Sequence, residues 1–182
     1  FSAIPDRLSA PSDIKMYEDE AKALDATVHY QARDDEHIRP FVTLIGPDSD
    51  VIEIGQDKTT LNALASGEAF VQAYSQPTFA GQQWHLFARP TQVNVVEVST
   101  AAMLRTLAAF QDDFTHHGAY RSLEVHLTSV ERFEKQQQAD KIVKHMNSFI
   151  KLLEHHKDKQ LMSEAAYNYL GDDAEALLSK WQ

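Results

Sequence analysis

The chain has 182 residues, 43% hydrophobic and 24% charged, with a formal net charge of −10. That length and composition suffice for a packed apolar core without staples. The absence of cysteine rules out disulfide scaffolds, cysteine-ligated zinc or iron–sulfur sites and thiol nucleophiles. The acid excess argues against nucleic acid, whose phosphates are bound by Lys and Arg.

Residues 1–11 read as an irregular lead-in ending at Pro11. Ser12 is placed to cap a helix in which Ile14, Tyr17, Ala21, Leu24 and Val28 recur at three- and four-residue spacing. This predicts an N-terminal amphipathic helix of about five turns, ending before the acidic patch Asp34-Asp35-Glu36. After Pro40 the period changes. Phe41–Ile45 and Val51–Ile54 are β-branched apolar runs separated by Gly46-Pro47-Asp48-Ser49-Asp50, the signature of a hairpin. Thr59 or Thr60 then caps a short helix through Leu61, Leu64 and Ala65, closed by Gly67. Three further strands follow: Phe70–Tyr74, Trp84–Ala88 and Val93–Val98.

All six prolines lie within the first 90 residues, which suits a helical second half. Ser99 or Thr100 caps a helix carrying Met103, Leu104, Leu107 and Phe110, which stops near His116-His117-Gly118. Residues 122–128 alternate, with Leu123, Val125 and Leu127 on one face, and read as a sixth strand or a short helix. A long helix over about 131–157 carries the stripe Ile142, Val143, Met146, Phe149, Ile150 and Leu153. Two short helices close the chain, the first ending at Gly171 and the second opening on Asp172 with Glu175 as a capping box.

The expected fold is α+β: a small, mostly antiparallel sheet with an N-terminal helix and a helical C-terminal half. Residues 1–98 form the helix-plus-sheet region and 99–182 the mostly helical region, packed together as one domain.

Chemistry is sparse. His116-His117 and His155-His156 are adjacent pairs whose side chains diverge on a helix, and zinc motifs instead place ligands at i,i+4. The carboxylate pairs, Asp112-Asp113 and Asp172-Asp173 among them, sit at helix ends or turns where capping explains them. No nucleophile elbow, Walker or Rossmann glycine pattern occurs. No catalytic residue, metal or cofactor is therefore expected, and an enzyme is the lesser reading. The best ligand-pocket set is Tyr74, Trp84 and Phe87 with His85 and Arg89, an aromatic group with a few polar atoms. Ordinary aromatic core packing is the competing account.

The order of elements over residues 12–98, a capped helix, a hairpin with an acidic turn at Gly46–Asp50, a short helix and three strands, resembles PAS-like extracytoplasmic sensor domains of the Cache type. The resemblance is one of layout. It implies a signal-transduction domain that binds a small molecule over its sheet. It would pass a helix shift to a membrane span outside this chain, in a periplasmic setting with the cytoplasm still open. A chain starting at Phe1 with no signal peptide or membrane span fits a trimmed or excised segment. The alternative is a non-enzymatic acidic adaptor that binds a protein partner or a second copy through its long C-terminal helix.

Overall fold

The structure is a computed structural model that describes residues 4–31, 42–46 and 49–182. The expected acidic patch at 34–36, Phe41 at the head of the first hairpin strand, and Pro47-Asp48 of its turn lie outside the described residues. The α+β class holds: strands fill the first part of the chain and helices the second, and the sheets are mostly antiparallel. The chain divides into two compact units, Phe1–Glu97 and Val98–Gln182.

Every regular element among the described residues of the first unit is a strand, so the N-terminal helix is a correction. Residues 13–30 form β2 (Asp13–Tyr17), β3 (Ala21–Ala23) and β4 (Thr27–Tyr30), after β1 (Pro5–Ser9). The three- and four-residue spacing was misleading because Met16, placed on the wet side of that helix, is fully buried here. The chain reverses at Asp19, whose φ is 65°, where the Tyr17 amide donates to Glu20 Oε2 at 2.8 Å. Such a local side-chain turn competes with a helix, and Ile14, Thr27, Val28 and Tyr30 are strand formers.

The next strands are β5 (Val42–Ile45), β6 (Ile52–Ile54), β7 (Thr60–Ala63) and β8 (Gly67–Ser75). The expected β5–β6 hairpin does not form. β5 pairs with β8, and β6 with β7, so the connection crosses between sheets. The expected short helix is β7. Its buried–intermediate alternation decides for a strand, and Asp57 shapes the turn before it. Asp57 Oδ1 accepts from the amides of Thr59 (3.0 Å) and Thr60 (2.9 Å), while Thr60 Oγ1 donates to Oδ2 at 2.6 Å. These bonds to the ionised form hold the carboxyl down at about 2.

After β8 come the small β9 (Thr78–Phe79) and β10 (Gln82–Gln83), then β11 (Leu86–Phe87) and β12 (Thr91–Val96). β11 and β12 run consecutively along one edge of β8. β3 and β4 likewise form one interrupted strand, pairing with β7 and β1 respectively. Two layers result: β1, β4/β3, β7, β6 in one, and β5, β8, β12, β2 in the other, with β2 parallel to β12. Leu8, Val28, Ile52 and Leu61 from the first layer and Met16, Leu44, Val71 and Val93 from the second form a single buried core. Crossing connections between two such layers give the strand order of an immunoglobulin-type sandwich.

The second unit contains α1 (Thr100–Ala109), α2 (His117–Lys135), α3 (Ala139–Asp158) and α4 (Glu164–Trp181), with a single 3₁₀ turn at Gln111–Asp113. α1 packs on α2 and α4, α2 on α3, and α3 on α4, closing a four-helix bundle joined by short loops. Ser99 opens α1, its Oγ accepting from the Ala102 amide at 3.1 Å. The Thr100 amide and hydroxyl both donate to Glu134 at the far end of α2.

The 122–128 segment lies inside α2. Tyr120, Leu123, Leu127 and Val130 are buried at helical spacing, whereas Val125, which an alternating strand would bury, is 54% exposed. The expected 131–157 helix is two helices. α2 ends with Gln137 at φ 53°, the Gln138 amide donating to Phe133 O and the Gln137 amide to Glu134 O, both at 3.0 Å. That is a Schellman closure with glutamine where glycine is usual. α3 ends the same way at Gln160, φ 55°, with Leu161 N–H on His156 O and Gln160 N–H on Lys157 O. Conversely, Gly171 ends nothing, and the two expected closing helices are the single helix α4.

The stripe Ile142, Met146, Phe149 and Leu153 is at most 1% exposed, filling the bundle with Leu123, Leu127, Leu170 and Leu177. An adaptor docking a partner through this helix is thereby corrected: its apolar face is already occupied.

The two loops at one end of the bundle are tied together. Phe114 and Met162 form an isolated bridge, Thr115 N–H donates to Leu161 O at 3.0 Å, and Ser163 N–H to Asp113 O at 2.9 Å. Ser163 Oγ donates to Asp113 Oδ2 at 2.6 Å and accepts from the Ala166 amide at 3.0 Å, so one hydroxyl caps α4 and holds the loop.

Candidate functional site

β8 inverts the usual use of side-chain size. Its small residues Ala69, Val71 and Ala73 face the core, while Phe70, Gln72 and Tyr74 point outward. Strand alternation makes this obligatory once the inner face is chosen. The sandwich core has room for alanines on this strand because Met16, Leu44 and Leu61 fill the interior. The larger groups are left on the outer surface, Phe70 53% exposed and Gln72 and Tyr74 half-buried.

The pairing register assembles the outer face row by row. Phe87 of β11 and Thr43 of β5 stand opposite Tyr74, Ile45 opposite Gln72, and Gln92 opposite Phe70. The Tyr74 and Phe87 rings meet at 4.6 Å between centroids, tilted by 31°. Tyr74 Oη lies 2.7 Å from His85 Nδ1, and Gln76 Nε2 lies 3.1 Å from the same nitrogen. Both groups can donate there, which assigns the ring proton to Nε2. Gln83 Nε2 donates to Gln76 Oε1 at 3.3 Å, extending the chain of bonds over the return segment 76–85. Gln72 Nε2 donates to Ala88 O at 2.9 Å, bracing β8 against the link between β11 and β12.

Of the five residues singled out in the sequence, the structure brings Tyr74, His85 and Phe87 together. Trp84, on the return segment, and Arg89, in the link between β11 and β12, are exposed, with Trp84 at 37%, but outside the ring contacts. The group forms an open strip on a sheet, and Phe87, 56% exposed, is not core packing. Phe70, Gln72 and Gln92 are the residues the sequence reading missed as part of this face. The run of large outward residues alternating with alanines is the signal that could have found them.

An open cleft of about 730 Å³ adjoins this face through Thr43 and Ile45, with Leu44, Ile52 and Val71 at its base and Ser49, Glu53 and Lys58 on its rim. In the helical unit the notable polar groups are histidines. His126 Nε2 donates to His145 O at 2.7 Å, and burial beside His126, Lys144 and Lys141 lowers the His145 pKa. His156 is 4% exposed, with Nε2 3.2 Å from Ser122 Oγ and Nδ1 buried without a hydrogen bond. Burial, with a smaller push from His155, lowers its pKa. His116 is used locally, its Nδ1 accepting from the Gly118 amide as the cap of α2. Among the described residues no three His, Asp or Glu side chains converge as a metal site, and no helix is long and apolar enough to cross a membrane.

The architecture is thus an immunoglobulin-type sandwich followed directly by a four-helix bundle. Residues 100–179, from the first turn of α1 to the last turn of α4, match the family model described as the FIMAH domain. No curated protein matches the chain. Among solved structures, domains 4 and 5 of the S-layer protein SbsC are similar at 11% identity and a TM-score of 0.35 over 52% of this chain and 54% of that one. Domains 1–6 of the same protein give the same identity and score over 53% of this chain and 13% of that one. The chain therefore spans about half the length of the first and a small part of the second.

These findings overturn the PAS-like, Cache-type resemblance and the sensing function and keywords built on it. The segment read as a sensor's capped helix and sheet is a two-layer sandwich with no helix among its described residues. The remainder, which that layout left unexplained, is a FIMAH-matching bundle.

Proposed function

We propose that this chain is a non-catalytic attachment module of a protein acting at or outside the cell surface. The sandwich makes the attachment and the FIMAH-matching bundle serves as a structural neighbour. The observation that carries this reading is the outward face of β8 and β11, where Phe70 and Phe87 stand in solvent and Tyr74 is half-buried against Phe87. Large apolar groups gathered on a paired, well-hydrogen-bonded surface mark a contact site. A cysteine-free chain avoids wrong pairing in an oxidising space, which suits that location.

Cosedimentation tests the reading. The purified chain is mixed with washed peptidoglycan sacculi, chitin, cellulose or collagen-coated beads and centrifuged. It should pellet with at least one of these. Recovery in the supernatant with all four, together with a rise in melting temperature on screening small metabolites, would overturn the proposal.

A further inference from the structure

The same face has a chemistry that narrows what it holds. Phe70 and Tyr74 are four residues apart on β8, so their rings stand about 13 Å apart along the strand at ~3.3 Å per residue. Gln72 lies between them, with Ile45 and Gln92 beside the line and the Phe87 ring tilted against Tyr74. None of these six side chains carries a formal charge, in a chain whose net charge is −10. Charge on this face lies along its β2 side, where Asp13 stands opposite Gln92 and Lys15 opposite Asn94, with Glu68 on the other side of Asn94.

An aromatic ring presents an apolar plate, and a primary amide offers both a donor and an acceptor. Hexopyranose rings have the matching pair of features, an apolar C–H face and a rim of hydroxyls that donate and accept. A strip alternating plate, amide and plate over about 13 Å accommodates two to three sugar units of an extended chain. A nucleic acid would require cations along its path, and an anionic polymer would meet the protein's negative field without a compensating row of Lys or Arg. The polar groups nearest the strip on the 76–85 return segment are again neutral amides, Gln76, Gln82 and Gln83, which suit hydroxyl partners.

We infer that the β8–β11 face binds an uncharged polysaccharide, with Phe70 and Tyr74–Phe87 as two stacking plates and Gln72 and Gln92 as hydroxyl partners. This inference rests on the attachment reading and specifies its target.

Affinity electrophoresis of the whole chain in native gels tests it. Xyloglucan, galactomannan and hydroxyethylcellulose serve as neutral polymers and polygalacturonate as the anionic control. At least one neutral polymer should retard the chain, and polygalacturonate should not. F70A and Y74A should each weaken retardation roughly tenfold, the loss expected for an anchoring aromatic. Q72A, which keeps both plates, should weaken it by a smaller factor. Because Phe70 is exposed, F70A should keep the parent circular dichroism and melting temperature, which separates lost binding from lost folding. Retardation by polygalacturonate alone, by no polymer, or undiminished in both aromatic variants would overturn the inference. Pelleting with sacculi or collagen beads that survives F70A and Y74A would leave the attachment reading standing while removing this one.

Discussion

His156 has an imidazole within the bundle whose Nε2 meets Ser122 and whose Nδ1 meets no partner. Burial favours its neutral form, so its pKa in the fold lies below the value near 6.5 that it takes in the unfolded chain. The unfolded chain therefore takes up a proton that the folded bundle refuses. The stability His156 contributes is complete above about pH 6.5 and is lost as pH falls through the lowered folded value. His145 acts in the same direction. Urea unfolding followed by helical ellipticity should give a midpoint that drops between pH 8 and pH 5. H156L should flatten that dependence, because Ser122 keeps its bond to Ala119 O. An unchanged slope in H156L would show that other groups carry it.

Gly171 gives a second prediction at this scale. It sits within α4 with nothing inside 4 Å of an added Cβ. Gly171→Ala should stabilise the bundle by about 0.5–1 kcal/mol, the ordinary helix-interior difference, read as a higher urea midpoint at constant slope.

Among the elements, the errors of sequence reading have identifiable sources. The break after α2 was invisible because Gln137 occupies a left-handed position where glycine would have signalled a stop, whereas the end of the long helix near residue 157 agrees with the end of α3 at Asp158. Gly171 announced a stop that tertiary packing overrides. Q137G and Q160G should each stabilise by about 0.5–1 kcal/mol, since a side chain in that conformation costs roughly 1–2 kcal/mol and glycine recovers part of it; thermal melts of the two variants check this. The strands at 13–30 were misread because Ile14, Tyr17, Ala21, Leu24 and Val28 satisfy a helical period by coincidence, while Met16 decides the matter only once its burial is known. By contrast Ser99, the strand containing Phe70–Tyr74, and the apolar stripe of α3 were legible, because capping chemistry, β-branched runs and repeated spacing are local signals. The candidate face was half legible. Tyr74, His85 and Phe87 stood out as aromatic and polar, but their neighbours are set by register across β5, β8 and β12, and register is a long-range property.

For each whole unit, stability should follow its own core. Phe149 is the largest fully buried side chain of the bundle and belongs to its core. Phe149→Ala should cost the helical unit about 3–5 kcal/mol, seen as faster amide exchange across α2, α3 and α4. Undiminished protection there would contradict the packing described.

The parallel pairing of β2 with β12 has a mechanical meaning. The chain enters the sandwich through the strands that lead into β2 and leaves it through β12, and the two run side by side in the same direction. Tension between those ends slides one strand along the other. It loads the bonds from Gln92 N–H on Ser12 O to Glu18 N–H on Val96 O simultaneously. The bundle is loaded in the opposite manner: an even number of helices returns the chain to its starting end, where Lys180 Nζ donates to Val98 O at 2.8 Å. A pull between Val98 and Trp181 breaks that contact first and then peels helices apart in succession. Under load, the sandwich is built as a clamp and the bundle as a spring, and single-molecule stretching should register the bundle's extension at the lower force.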